Sequence, residues 1–279
     1  MNEKVAKIDL SLDPAVTAGL LFTFLADQFQ KKGFTQAVLG VSGGVDSALG
    51  IALLANALGS KHVTGLAMPA LESNPESLAD ARLVCSTFDV PLVVAPIGPL
   101  VREFFANEKN PDRVRIGNAA ARMRMIRLYD FSTKHRALVI GTSNKTELLL
   151  GYGTWHGDLA CSINPLGDLY KTQVWQLADW LGVPERVVAK PPSADLWKGQ
   201  TDEGELGLTY VEVDRLLYLL IDRDYSISSL LDLGFSRAFI DRVIDLISRS
   251  QFKRALPVIP KISMKTVGID FHFTRDWGK

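Results

Sequence analysis

The chain has 279 residues, with 31 basic and 31 acidic side chains, so its formal net charge is zero. General nucleic-acid binders normally carry excess positive charge, and this balance argues against that class. The two distant cysteines, Cys85 and Cys161, argue against a disulfide framework. The charges in the first twenty residues argue against a signal peptide, and the lack of long apolar runs argues against a membrane span. We therefore expect a cytoplasmic globular protein without nucleic-acid or membrane partners.

Apolar segments in the first half of the chain alternate with helix-compatible stretches. This alternation predicts an α/β fold, a doubly wound parallel sheet with ligands at the carboxyl ends of its strands. A stretch at 13–32 has apolar residues at helical spacing and predicts an amphipathic helix outside the sheet. Beyond the sheet we expect a Gly-rich loop at 151–168, a helix near 171–181 and further helix over 209–250. The predicted strands are 37–41, 62–68, 91–95 and 137–141.

The first predicted strand leads into Ser-Gly-Gly-Val-Asp-Ser at 42–47, followed by a predicted helix. The two glycines let the backbone approach an anion, and the helix start offers unpaired N–H groups. The segment is neither a Walker A loop nor G-x-G-x-x-G, and such a turn can also be purely structural. Asp46 would repel a bound phosphate unless a cation lay between them, so we predict that it binds Mg²⁺.

The segment Gly-Thr-Ser-Asn-Lys-Thr-Glu at 141–147 repeats this arrangement at the fourth strand. Residues 142–144 can cap a helix, with Glu147 in its first turn. A capping role alone would explain Glu147. In a doubly wound sheet, however, Glu147 would project near Asp46 and supply a second carboxylate for Mg²⁺ on a triphosphate, which is the role that we favour.

Other polar residues are candidates for binding anions or an amine. Arg122 and Arg124 lie among small residues and methionines in a predicted helix and are typical of anion contacts. Asp158, in the Gly-rich loop, is a candidate for holding an incoming amine, the alternative being a turn-stabilising role. Lys171 opposes the dipole at a helix start, which indicates a phosphate contact, with a solvated lysine as the alternative. Cys161 is predicted to be a small buried residue.

Four segments in this order resemble the ammonia-dependent NAD synthetases, of the ATP-pyrophosphatase type, over about residues 37–215. The loop at 42–47 is shared by several ATP-splitting families. The other three are more specific: Gly-Asn…Ala-Arg-x-Arg-Met at 117–125, Gly-Thr-Ser-Asn-Lys-Thr-Glu at 141–147, and Pro-Ser-Ala-Asp-Leu-Trp…Gln-Thr-Asp-Glu at 192–203. The stretch 190–203 is by composition a loop.

The resemblance implies a Rossmann-like domain over 1–279, with an N-terminal helix at 13–32, a nucleotide core at 37–182 and a helical and tail region at 183–279. It implies a carbon–nitrogen ligase of NAD biosynthesis, usually a homodimer, that amidates deamido-NAD with ammonia through an acyl adenylate and splits ATP to AMP and pyrophosphate. The implied ATP contacts are Gly40, Val41, Ser42, Gly43, Gly44, Val45, Asp46, Ser47, Thr142, Lys171 and Ser193.

The resemblance further assigns Asp46 and Glu147 to Mg²⁺ and Arg122 and Lys253 to the nicotinate dinucleotide. Asp158, near ammonia, and Lys171 would be catalytic. Three expected substrate-site residues depart from the family: Trp155 replaces a common Lys, Ser162 an Asp and Phe252 a His.

The departures leave the acid substrate open between the dinucleotide with exchanged contacts, which we favour, and nicotinate mononucleotide. A tRNA- or base-modifying ATP pyrophosphatase is disfavoured by the neutral charge and the lack of C-x-x-C. A regulatory nucleotide-binding module is disfavoured because it has no need for both metal carboxylates. The tail ends in Phe271, Phe273 and Trp277, which we expect to dock on the protein.

Overall fold

The computed structural model describes residues 3–70, 73–193 and 201–271. Four parallel strands form one sheet in the order β3-β2-β1-β4. They are β1 (Gln36–Gly40), β2 (Val63–Ala67), β3 (Leu92–Val94) and β4 (Ala137–Ile140). The four predicted strands are confirmed to within one residue at each end. The chain runs outward from β1 to β3 and returns to place β4 on the other side of β1, so the topological switch lies between β1 and β4, where such sheets bind ligands.

Helices surround the sheet and continue beyond it. Among the described residues none is long and apolar enough to cross a membrane. They are α1 (Glu3–Ala6), α2 (Pro14–Lys32), α3 (Val45–Leu58), α4 (Pro75–Thr87), α5 (Gly98–Phe104), α6 (Arg113–His135), α7 (Lys145–Leu150), α8 (Lys171–Trp180), α9 (Glu185–Val188), α10 (Asp202–Leu206), α11 (Tyr210–Leu217), α12 (Ile227–Leu233) and α13 (Arg237–Arg249), with a π-helical turn (Tyr218–Asp222) after α11 and 3-10 turns at Ser60–His62 and Gln251–Arg254.

The sheet has a hydrophobic layer on each face, because successive strand residues point to opposite sides. Leu39 packs with α2, α3 and α8 on one face, whereas the neighbouring Val38 packs with α5 and α6 on the other. A third hydrophobic cluster contains residues of α10, α11, α12 and α13, together with Leu150 of α7 and Tyr170 at the start of α8. This third cluster brings the C-terminal helices against the switch-point side of the sheet.

Helix α2 was predicted with one apolar face, and the structure divides its apolar residues between two. Leu25 and Phe29 are buried in the core. Val16, Leu20 and Phe24 are 58%, 67% and 42% exposed and follow one another at intervals of four residues along the outer face. The helix therefore has a solvent-facing apolar strip in addition to its buried side.

Two further expectations need correction. The polar run at 199–203 was predicted as a loop, but α10 begins at Asp202, where the Thr201 side chain accepts the Gly204 N–H. The helical region at 209–250 is interrupted by positive φ angles at Asp224 and Gly234. Residues 194–200, Phe273 and Trp277 lie outside the described residues, while Phe271 is 47% exposed. The division into core and tail, and the cytoplasmic location, stay predictions.

Candidate active site

The loop after β1 is preorganised by its own hydrogen bonds. Gly43 has φ +81°, and a Cβ there would lie 2.3 Å from the Ser77 carbonyl oxygen, so only glycine fits. The Ser47 hydroxyl donates to the Gly44 carbonyl (3.0 Å) and accepts the Ser42 N–H (3.2 Å). Gly44, as the N-cap of α3, has no side chain to cap the first turn, which leaves an anion-binding helix start.

Lys171 lies between the two carboxylates predicted to bind metal. Its Nζ is 2.5 Å from Asp46 Oδ2 and 3.4 Å from Glu147 Oε1. The residue is 1% exposed, so the alternative of a solvated lysine is wrong. The ends of β1 and β4 therefore bring Asp46 and Glu147 to one place, and α8 inserts an ammonium group between them.

Glu147 makes the capping contacts that the sequence allowed, and it also faces the site. Its Oε2 accepts the Asn144 N–H (3.2 Å), while the Asn144 side chain accepts the Glu147 N–H (3.0 Å), which is a capping box. Its other oxygen faces Lys171. The Asn144 amide also donates to Asp46 Oδ1 at 2.9 Å. Asn144 thus ties the two loops together, a long-range contact that its local capping signal does not reveal.

Negative charge exceeds positive charge here. Burial, and next the charge of Asp46, raises the pKa of Glu147 to about 8, although Lys171 opposes this. Burial acts against the charge of Lys171, but Asp46 and Glu147 outweigh it and raise the pKa of that ammonium above its ordinary value. Asp202 is 4% exposed and adds a third carboxylate nearby, its own pKa raised by burial.

Two aromatic residues that sequence reasoning missed lie beside Lys171 or Asp202. The ring centroid of Tyr210 is 5.2 Å from Nζ, and the Tyr210 hydroxyl donates to Asp202 (3.1 Å). Tyr152 donates to the other oxygen of Asp202 at 2.9 Å. In the sequence Tyr210 resembles an ordinary core residue, and Tyr152 lies in the Gly-rich loop without a signal for this contact. Asp202 stands in the Gln-Thr-Asp-Glu motif, which was the available signal.

Two other predicted ATP contacts lie on the rim of this region. Thr142 follows β4, and its methyl group lies 3.5 Å from the Cβ position of Gly50 in α3. Ser193 is exposed and precedes the gap in the described residues. The Asp202 N–H donates to the Pro192 carbonyl at 3.0 Å, so the ends of the segment containing Ser193 meet beside Asp202.

The loop at 151–158 forms a second group of predicted residues. Trp155 packs edge-on against Phe252, with ring centroids 5.3 Å apart, and its carbonyl accepts a hydrogen bond from Arg122 (3.3 Å). Lys253 donates to the carbonyls of Gly151 (2.7 Å) and Gly153 (2.8 Å). Four of the five predicted acid-site residues therefore lie in this loop or against it.

The fifth, Ser162, lies at the end of β4, where its N–H donates to the Val139 carbonyl (2.8 Å) and its side chain bonds to Tyr129. In the described parts of the chain, no hydrogen bond or ring contact is recorded between Ser162 and Trp155 or Phe252. Cys161, predicted to be buried, is only half-buried.

Asp158 stabilises the loop, as its alternative interpretation proposed. Its carboxylate accepts the Thr154 N–H at 2.6 Å. The residue is exposed. Protein packed around the carboxylate nevertheless raises its pKa, against the opposing charges of Arg124 and Lys253. A raised pKa makes this carboxylate a stronger base than an ordinary aspartate.

Comparison with known proteins identifies the family. The NAD synthase family model matches residues 18–257. The curated NH(3)-dependent NAD(+) synthetase of Trichlorobacter lovleyi is 50% identical over 97% of this chain and 99% of its own length. That of Fusobacterium nucleatum is 46% identical over 92% of this chain and 98% of its own.

Solved structures agree with this assignment. A structure of NMN synthetase from Francisella tularensis has a TM-score of 0.79 and 32% identity, and an NH3-dependent NAD synthetase from Campylobacter jejuni, in complex with the nitrate ion, has a TM-score of 0.77 and 33% identity. Each alignment covers 90% of this chain and 100% of the other chain. The chain therefore belongs to the NAD synthase family.

Proposed function

We propose that this protein amidates deamido-NAD with ammonia and ATP, with NAD, AMP and pyrophosphate as products. Relatives at 46–50% identity bear the name NH(3)-dependent NAD(+) synthetase. The observation that carries the proposal is the position of Lys171 between Asp46 and Glu147, beside an anion-binding loop at the switch point. The loop predicted to bind phosphates and the carboxylates predicted to bind their cation therefore lie close together.

ATP would bind at this edge of the sheet. The backbone of 40–47 and the first turn of α3 would hold its phosphates, with Lys171 as the cation nearest to them. Thr142 and Ser193 would contact the nucleotide from the rim. This arrangement places the positive charge of the helix start and of Lys171 where negative charge increases during the reaction.

A Mg²⁺ ion would be held by Asp46 and Glu147. The donor set fits, because Mg²⁺ in nucleotide sites takes one or two carboxylates together with phosphate oxygens. With all three carboxylates ionised, their negative charge would exceed the positive charge of the single Lys171, and a divalent cation would offset the difference. The bound ion would supply neutralisation of the phosphate charge.

The first chemical step would activate the carboxylate. A carboxylate oxygen of deamido-NAD attacks the α-phosphorus of ATP, an O–P bond forms, and the bond from that phosphorus to the β-phosphate bridge breaks, releasing pyrophosphate. Lys171 would stabilise the charge that develops on the phosphates. The product, an acyl adenylate, has AMP as its leaving group, whereas a free carboxylate would have to expel oxide.

The second step would form the amide. Ammonium must lose a proton before its nitrogen can attack the acyl carbon, and Asp158 is our candidate acceptor because its pKa is raised. The attack forms the C–N bond, the bond to AMP breaks, and the nitrogen loses a second proton to give the amide. Asp158 and Lys171 are thus the proposed catalytic residues.

The acid substrate would bind at the loop of 151–158. Arg122 and Lys253 would provide positive charge, and Trp155 and Phe252 apolar ring faces for a pyridine or adenine. Ser162 would contribute a hydroxyl from the end of β4. One alternative substrate, nicotinate mononucleotide, has support in the likeness to the Francisella tularensis structure at 32% identity, but the relatives at 46–50% favour the dinucleotide.

We also propose a homodimer that buries exposed apolar surface. One candidate surface is the strip of Val16, Leu20 and Phe24 on α2. Another is the face of α5 and α6, where Phe104 and Ile126 are 61% and 53% exposed and line, with Arg122, an open cleft of about 440 Å³. Isolated chains rarely expose contiguous apolar patches of this kind without a partner. A second copy at α6 would lie next to Arg122.

The test is a product assay on the purified protein with ATP, Mg²⁺ and ammonium. Deamido-NAD and nicotinate mononucleotide are compared in parallel, with pyrophosphate and the amide measured separately. We expect NAD, AMP and pyrophosphate in equal amounts from the dinucleotide. Turnover of the mononucleotide alone would overturn the substrate assignment, and no pyrophosphate from either acid would overturn the proposed function.

A further inference from the structure

A buried carboxylate outside the predicted site connects the first turns of α7 and α8. Asp214 lies in α11 and is 0% exposed. Its Oδ1 accepts a hydrogen bond from the Thr146 hydroxyl (2.5 Å), and its Oδ2 accepts one from the Thr172 N–H (2.8 Å). The Thr146 hydroxyl oxygen itself accepts the Lys171 N–H at 3.0 Å. One side chain therefore joins three helices.

The residues that make these hydrogen bonds are sequence neighbours of Glu147 and Lys171, whose side chains face each other in the site. Thr146 precedes Glu147, and Thr172 follows Lys171. The first N–H groups of a helix have no partner within it. In α8 the first two N–H groups, those of Lys171 and Thr172, donate to the side chains of Thr146 and Asp214. The negative charge of Asp214 is also favourable at the N-terminus of a helix. The backbones carrying Glu147 and Lys171 are thus held by a carboxylate that is hydrogen bonded to neither of their side chains.

Packing alone does not account for a carboxylate at this position. The neighbouring Val213, Leu216 and Leu217 belong to the C-terminal hydrophobic cluster, and Asp214 is as deeply buried as they are. Burial of a carboxylate is costly unless it is hydrogen bonded. Here the bonds of Thr146 and Thr172 counter the rise in the pKa of Asp214 that burial causes. The role of the carboxylate is therefore to accept the hydrogen bonds of the first turns of α7 and α8.

We propose that Asp214 is a positioning residue, which holds Glu147 and Lys171 at the separation that ATP binding requires. This inference rests on the proposed function, because it assumes that both side chains act on ATP. Asp214 itself would touch neither ATP nor the acid substrate. Its loss should therefore affect ATP far more than deamido-NAD.

The test compares four variants of the full chain. Asp214→Asn removes the charge at nearly constant size, and Thr146→Val removes the bridging hydroxyl. Each should raise the KM for ATP by roughly tenfold or more and leave the KM for deamido-NAD within about twofold. Thr146→Ser keeps the hydroxyl and should behave as wild type. Val243→Ala, in the same hydrophobic cluster, should lower the melting temperature without changing the KM for ATP.

A double-mutant cycle completes the test, with Mg·ATP binding measured by calorimetry. Added to Lys171→Met, Asp214→Asn should cause less than its full loss of ATP affinity, because the part of its effect that acts through the Lys171 side chain is already lost. Full additivity, or an Asp214→Asn variant that only melts earlier like Val243→Ala, would overturn the proposal. If Asp214→Asn does not fold, Thr146→Val against Thr146→Ser decides. A wild-type protein that releases no pyrophosphate would instead overturn the proposed function.

Discussion

Lys171, which is buried, forms an ion pair with the half-buried Asp46 across 125 positions of the chain, with Nζ 2.5 Å from Oδ2. The contact links the loop after β1 to the start of α8. Glu147, from the loop after β4, lies 3.4 Å from the same ammonium. Three separate segments of the chain therefore come together where a triphosphate and its cation would bind.

The two carboxylates should be essential for turnover. Asp46→Asn or Glu147→Gln should each lower kcat by at least roughly tenfold, because loss of a metal ligand removes stabilisation of charge in the transition state. Asp241→Asn, which alters an exposed ion pair of α13, is the control and should leave kcat unchanged. Near-normal turnover of both site variants at saturating Mg²⁺ would contradict the metal assignment.

Glu147 should make the stability of the metal-free protein depend on pH. Its pKa is raised from 4.5 to about 8 on folding, so the folded state binds more protons than the unfolded state between these values. The contribution of Glu147 to the free energy of unfolding is therefore largest below about pH 4.5 and is lost as the pH rises to about 8. The free energy of unfolding should be measured with denaturant in EDTA at pH 5.5 and 8. Relative to wild type, that of Glu147→Gln should be higher at pH 8 than at pH 5.5. An equal difference at both pH values would refute this.

Trp155→Ala should raise the KM for deamido-NAD more than it lowers kcat. The ring would bind the acid substrate by stacking, and aromatic pairs contribute about 0.5–1.5 kcal/mol, or roughly two- to tenfold in affinity. Steady-state kinetics with deamido-NAD as the varied substrate measures the effect. Trp180→Ala removes a half-exposed tryptophan on α8 as the matched control. A lower kcat at unchanged KM would place Trp155 outside the acid site.

The protein should be a dimer in solution, with exposed apolar residues of α2 or α6 in the interface. Leu20→Glu and Ile126→Glu each place a charge on one of the two candidate surfaces. Light scattering at micromolar concentration should give the dimer mass for wild type and a monomer for the variant whose surface is used. A fully active wild-type monomer would contradict the dimer proposal.

The sheet and the meeting of Asp46 with Glu147 were predictable, because short apolar strands alternate with helices and parallel strands end at one edge. Asp202, Tyr210 and Asp214 were not identified as site residues. The Gln-Thr-Asp-Glu motif was an available signal for Asp202, whereas the contacts of Tyr210 and Asp214 depend on how the C-terminal helices pack against α7 and α8, which no local pattern encodes. The stretch 13–32 was predicted as an amphipathic helix with surplus apolar surface, but which of its apolar residues enter the core and which face solvent depends on tertiary packing.

The substrate carboxylate, activated by direct attack on ATP, is the centre of the proposed chemistry. Deamido-NAD labelled with oxygen-18 in its carboxylate tests this most directly, with the products of a single turnover analysed by mass spectrometry. The account predicts that AMP carries one labelled oxygen and that pyrophosphate carries none. Unlabelled AMP accompanying newly formed NAD, or label in any other phosphate product, would contradict the acyl adenylate.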